Sequence, residues 1–229
     1  NVAMGDTALD SVEAGGTDNT AIGDHAGTAL TTGDNNIAVG CGALEAATTP
    51  GAVTAIGASS QKGNLTGSSN TSVGTNSLCS NQTGDNNVAI GANALLVNTC
   101  RRHVAVGANA LVCNTTGQQN VAIGYFALDD NTTGGCNIAV GGALGLNSTG
   151  GDNNTAVGPY TLFANTTASN NTAVGLCSLT ANTTASNSVA VGCGALEDNT
   201  IGDQNTAVGG TSLGDNTEGE YNAAFGYNA

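Results

Sequence analysis

Gly210-Thr211-Ser212-Leu213-Gly214 matches the G-x-S-x-G pattern, in which a sharp strand-to-helix turn exposes a nucleophilic serine for acyl transfer. That chemistry needs a histidine base within reach of the hydroxyl. Both histidines, His25 and His103, precede the serine, no helical segment follows it, and Ser212 stands where sibling phrases carry Ala. Gly40-Cys41-Gly42 and Gly192-Cys193-Gly194 open like a dinucleotide-binding turn, but Glu45 and Glu197 occupy the place of the third glycine. The two histidines are five repeat units apart, too far to share a metal. Asp129-Asp130 and Glu197-Asp198 read as solvated turn carboxylates. Gly-Asp-Asn-Asn at 84–87 and 151–154 offers oxygen ligands for Ca2+, without the spacing of calcium-binding repeats. The expectation is a chain that is not an enzyme, with no catalytic residue, no cofactor and no resident metal, Ca2+ being the one ion its residues could accommodate.

Seven cysteines, at 41, 79, 100, 113, 136, 177 and 193, fall at different phases of the repeat, except that Cys41 and Cys193 share one and are nine coils apart. Adjacent partners at matching phase are missing, Cys100 with Cys113 being the least awkward pair, so the thiols read as small buried hydrophobes rather than a disulfide framework. Asn-x-Ser/Thr sequons at Asn64, Asn81, Asn114, Asn131, Asn165 and Asn182 recur on predicted turns and would be candidate glycan sites in a secreted eukaryotic protein. Further sequons stand at Asn70, Asn147, Asn153 and Asn170. The basic triplet Arg101-Arg102-His103 reads as an outward loop in a unit that has lost one residue.

What must position all of these is a repeat. Gly5, Gly23, Gly40, Gly57, Gly74, Gly91, Gly107, Gly124, Gly141, Gly158, Gly175, Gly192, Gly209 and Gly226 each close a version of Asn-x-Ala-Val/Ile-Gly. The interval is 17 residues, apart from 18 after Gly5 and 16 after Gly91. A fixed short period marks a stacked-coil architecture. In the unit at 120–136, Val121 and Ile123 alternate with Ala122, the period-two pattern of a strand. The expectation places Val and Ile inward and Ala on the opposite face, where its small size would admit another backbone. Glycine then suits a corner that needs positive φ or lacks room for a Cβ. An inward Leu follows four residues later (Leu9, Leu44, Leu78, Leu95, Leu111, Leu128, Leu162, Leu179, Leu196 and Leu213), with Leu144 one residue early. Asn-Thr-Thr-Gly, as at 114–117 and 131–134, predicts a side-chain-bonded turn in which glycine takes the reversed dihedral. The opening Asn recurs in all copies but those with Val53, His103 and Ser188, which predicts amides stacked along an axis.

The fold expected is an all-β solenoid of about fourteen coils, one array over 1–229, rising roughly 60 Å at ~4.8 Å per coil. Two units are irregular: 24–35 moves Ala-Leu downstream to Ala29-Leu30, and 57–69 replaces Leu with Gln61. Disorder, the usual reading of a Gly/Asn/Thr-rich chain, conflicts with the strict phasing of the apolar residues. A formal charge of −14, with three Lys and Arg against 17 acids, excludes a nucleic-acid partner and reads as a self-repelling surface. No apolar run is long enough to span a membrane. Both ends fall on repeat phrases, as in an excerpt from a longer fibre protein.

The phrase Asn-Thr-Ala-Val-Gly-x-x-Ala-Leu-x-x-Asn-Thr-Thr-Gly, nearly intact at 171–185 and 154–168, resembles the head repeat of trimeric autotransporter adhesins and the Asn-Thr-Ala-Val-Gly repeat of phage-tail-fibre-like surface proteins. The resemblance covers the whole chain. It implies a left-handed β-roll, three chains to a trimer, and a stiff adhesive stalk at a cell surface or virion. Two features depart from the adhesin pattern: the unit is longer, its extra residues lying in the Asn-Thr-Thr-Gly turn, and seven cysteines are present.

The function expected is a structural extracellular fibre or filament segment, self-associating as a homotrimer or filament and offering a repeated surface to a carbohydrate or surface receptor. The alternative is an ice-binding solenoid presenting ladders of Thr such as Thr115 and Thr116. A carbohydrate-active β-helix enzyme would need acids or Arg clustered on one face, and none stand out.

Overall fold

The computed structural model describes residues 1–13, 15–141 and 149–229. Each copy of the phrase makes one three-residue strand. The first seven are β1 (Val2–Met4), β2 (Thr20–Ile22), β3 (Ile37–Val39), β4 (Thr54–Ile56), β5 (Thr71–Val73), β6 (Val88–Ile90) and β7 (Val104–Val106). The others are β8 (Val121–Ile123), β9 (Ile138–Val140), β10 (Thr155–Val157), β11 (Thr172–Val174), β12 (Val189–Val191), β13 (Thr206–Val208) and β14 (Ala223–Phe225). Within each compact unit, strands neighbouring in sequence pair in parallel and like positions align: Ala156 of β10 lies beside Ala139 of β9 and Ala173 of β11. The described residues contain no helix. The fold is a parallel β-solenoid.

The chain divides into two compact units, Asn1–Thr116 with β1 to β7 and Gly117–Ala229 with β8 to β14. Both are built from the same coil. We number coils by their closing glycine, so that the fourth runs over 53–69 and the fifth over 70–86.

Corner geometry follows from the repeated glycine. Thirteen of the fourteen have φ between +125° and +140°, a region that disfavours any side chain. A Cβ on Gly175 would also stand 2.5 Å from the carbonyl oxygen of Gly192 in the next coil. Conformation and close stacking therefore both demand glycine here.

The strand faces are the reverse of the expectation. The central residue of each interior strand, Ala in all but β5, points inward and is essentially inaccessible, as Ala122, Ala173 and Ala190 show. The flanking Val, Ile and Thr point out, and aliphatics such as Ile22, Ile56, Ile90 and Ile123 are 38 to 40% exposed. The physical reason is the thinness of the coil. The anchor Leu fills the interior from the far side: Leu44, Leu95, Leu128 and Leu196 are fully buried and leave room opposite only for a methyl group. Leu anchors adopt φ of +49° to +55°, which costs about 1–2 kcal/mol for an L-residue. Burying the side chain offsets this by about 1.5–3 kcal/mol. The same geometry turns the Leu78 N–H onto Ala94 O of the next coil at 2.9 Å.

The Asn-Thr-Thr-Gly turn also differs from the expectation in one respect. Its glycine does not take the left-handed conformation; that falls two residues later, on Asn86 and Cys136 for example. A Cβ on Gly134 would lie 2.4 Å from Gly151 O, so space favours glycine in this slot. The restriction is not absolute, because Ala168 and Ala185 occupy the equivalent place. The anchor expected at Leu144 lies outside the described residues.

Candidate functional site

Half of the interior is polar. Two columns of asparagine line it, one from the opening Asn and one from the turn Asn, the second beginning at Asn64 because Val12, Leu30 and Ala47 hold its place in the first three coils. In the first, Asn154 Oδ1 accepts the N–H of Asn171 at 3.0 Å, and Asn154 Nδ2 donates to Ala168 O at 2.8 Å. In the second, Asn182 Nδ2 donates to Ala185 O at 3.0 Å, a carbonyl that Asn171 Nδ2 also reaches at 2.8 Å. The expected axial stacking of opening Asn residues is present, with the amide oxygen spent mainly on the next coil's backbone. Pairing matters because an unmatched buried amide costs about 1–3 kcal/mol.

This interior claims most of the residues singled out for chemistry. Asn64, Asn81, Asn114, Asn131, Asn165 and Asn182 are wholly buried, not on exposed turns, and their amides face the core. Asn64 Nδ2 is 2.8 Å from Gly67 O, leaving no approach for a glycosylating enzyme to the folded chain. Asn70 is buried too, Asn153 and Asn170 are exposed, and Asn147 lies outside the described residues. Ser212 fills an inward Ala slot and donates to Ala224 O at 3.2 Å. His103 takes the place of an opening Asn inside the core, where its N–H reaches Asn87 Oδ1 at 3.0 Å, while Arg101 and Arg102 are exposed. The basic triplet thus splits, two residues out and one in. His25 is exposed with Nδ1 2.8 Å from Thr7 Oγ1.

The cysteines correct the expectation of buried hydrophobes. All seven are thiols; Cys41, Cys113, Cys136 and Cys193 are exposed and Cys79, Cys100 and Cys177 half-buried, because their slots in the coil point outward. Partial burial pushes the Cys79 thiol up, with Lys62 acting the other way. Among the described residues no three His, Cys, Asp or Glu side chains are placed to hold a metal. The acidic turns that could have offered Ca2+ its ligands spend an oxygen on backbone: Asp85 Oδ1 accepts Ser68 N at 2.8 Å and Asp152 Oδ1 accepts Gly135 N at 2.7 Å.

The surface with most potential for recognition is the outward strand face. Each strand contributes two outward side chains, and every one along β1 to β14 is Thr, Val, Ile, Met, Ala or Phe. None carries charge in a chain of formal charge −14. Acids lie instead in the turns, for instance Asp34, Asp85, Asp152 and Asp203 at one shared slot. In-register pairing assembles the residues before the corner glycine into one continuous apolar column within each unit, beside a second column in which Thr alternates with Val and Ile, a pattern that monomeric soluble surfaces rarely expose. The signal was present in the sequence: opening Asn and central Ala are two residues apart and share a face, so an inward Asn column requires an inward Ala and an outward Val/Ile.

No helix among the described residues is long and apolar enough to cross a membrane. No family model matches the chain, and neither a curated protein nor a solved structure shows detectable similarity to it.

Proposed function

We propose that this chain is a segment of an extracellular structural fibre, working as a stiff spacer whose strand faces pack against copies of itself. The observation that carries the reading is the segregation of charge: a strongly acidic chain keeps one face uncharged, with an apolar side chain on every strand. Burying apolar area at about 25 cal/mol per Å2 drives association, while acids confined to the turns stay in water and oppose other contacts. The resemblance to adhesin and tail-fibre repeats favours closure as a homotrimer over an open filament, and a cell surface or virion as the location. The repeated outer turns would then meet a carbohydrate or other surface receptor.

The Thr ladders of the ice-binding alternative gain little support. Thr132, Thr149, Thr166 and Thr183 each donate Oγ1 to the carbonyl of the equivalent Thr one coil on, at 2.7 to 3.0 Å. Hydroxyls committed to backbone are poorly placed to order external water.

Light scattering coupled to sizing tests the reading. The parent chain is expected at a multiple of the protomer mass, and Val174→Glu with Val191→Glu at the protomer mass with an unchanged far-ultraviolet spectrum. A monomeric parent overturns the proposal, and thermal hysteresis at micromolar protein would replace it with ice binding.

A further inference from the structure

A solenoid of near-identical coils has a pairing problem. From the third coil on most coils present the same columns of Ala, Leu and opening Asn, so a coil could stack on its second neighbour almost as well as on its first. Looping out the skipped residues adds little closure entropy, since that term grows only logarithmically with length. What opposes the error in a regular stretch is mainly the lost burial of one coil.

The fourth and fifth coils differ from this background. Gln61 occupies the Leu slot of the fourth coil and Ser72 the strand-centre Ala slot of the fifth, the one place where that column is not Ala. Gln61 Nε2 donates to Ser72 Oγ at 2.8 Å and to Thr54 O at 3.2 Å, while its Oε1 accepts Asn64 Nδ2 at 3.2 Å. Ser60 Oγ lies 2.5 Å from Ser72 Oγ and 3.0 Å from Ser77 Oγ. All five side chains are fully buried. A buried polar group missing its partner is expensive, whereas a complete network is tolerated.

We propose that Ser60, Gln61, Asn64, Ser72 and Ser77 form a register key that fixes the fourth coil to the fifth and excludes coil-skipped pairing. If the fourth coil stacked on the sixth, Gln61 would face Ala89 and Ser60 would face Ala94, neither of which offers a side-chain acceptor. No other coil supplies a strand-centre hydroxyl, so the key has one lock in the chain. The inference does not depend on the fibre reading, because it concerns pairing within one protomer.

Reverting and transplanting the key test it. Gln61→Leu and Ser72→Ala singly are each expected to lower the melting temperature, and the double variant to recover most of that loss. Refolded double variant should nonetheless show several-fold more nicking by a broad-specificity protease within 53–103, mapped by mass spectrometry, because a skipped coil is a 17-residue loop. Equal nicking in parent and double variant, or simply additive melting shifts, overturns the proposal. The transplant covers the case in which the reverted chain does not refold. The eleventh coil already holds Ser178 and Asn182 in the places of Ser60 and Asn64. Leu179→Gln alone should unfold at lower temperature than Leu179→Gln with Ala190→Ser. Indistinguishable melting of the two would also overturn the key.

Discussion

The fourth and fifth coils and the tenth to twelfth coils share one backbone and divide polarity across it differently. In the later coils asparagine lines two columns of the interior, with Ser188 once in the place of an opening Asn, and Leu162, Leu179 and Leu196 fill the rest. In the fourth coil Val53 stands where an Asn column should continue and Gln61 where the Leu column should. Both are fully buried. Polar and apolar groups have changed places within a single turn of the solenoid, and Ser72 one coil on receives the displaced amide. The coil therefore fixes how many interior positions exist and how small they are. It does not fix which of them is polar, provided each amide finds a partner.

Leu179→Gln tests that proviso most severely. Opposite position 179 in the next coil stands Ala190, so the new amide has no hydroxyl to meet and the Leu packing is lost as well. A destabilisation of about 3 kcal/mol or more is expected from chemical denaturation. A loss below ~1 kcal/mol would mean that the core accepts amides unaided, and the contrast between the two regions would collapse.

Asn171→Val imposes the Val53 arrangement on a regular coil and should have a smaller effect. The Ser188 N–H loses its 2.9 Å acceptor, and Ala185 O loses one of two amide donors while keeping Asn182. About 1–3 kcal/mol is expected, read from the same denaturation midpoint. A stability gain would show that the opening Asn column is dispensable.

The coil itself was legible in the sequence because its causes are local. Glycine at nearly every corner answers a φ near +130° and a carbonyl in the next coil, and both leave a residue type at a fixed interval. The inward Leu column was legible for the same reason. Which face of the strand turns inward was harder to read, since hydrophobicity favours the wrong side and only the phase that Ala shares with the opening Asn points the other way. The physical cause is the width left by Leu128 and its counterparts across the interior, which admits a methyl group and no more. The sequons show the same limit: Asn131-Thr132-Thr133 looks like an exposed turn until the amide is seen to face the core. For the outward face, the absence of charge on every strand was visible, but its meaning required knowing that these side chains point out.

The smallest effects lie at one outward slot, five residues after the corner glycine, where the two units have opposite electrostatics. In the first unit Glu45 and Lys62 hold this slot in adjacent coils and form an ion pair at 3.1 Å. In the second unit Asp129 holds it beside Asp130, and partial burial, followed by the Asp130 charge, raises its carboxyl above the usual range. A carboxyl held high in the folded state favours the protonated form there, so its contribution to stability is present at low pH and is lost as pH rises through the folded value. Asp129→Asn should therefore stabilise the chain at neutral pH, with the gain vanishing below about pH 3.8, the ordinary value for an aspartate. Partial exposure keeps that gain under ~1 kcal/mol. Lys62→Ala should cost less still, at most about 0.5 kcal/mol at low salt and nothing measurable at 1 M, because both partners are well exposed and screened. Denaturation midpoints at two pH values and two salt concentrations separate the cases: a salt-independent loss for Lys62→Ala, or a gain for Asp129→Asn that persists in acid, would show that packing rather than charge distinguishes the slot.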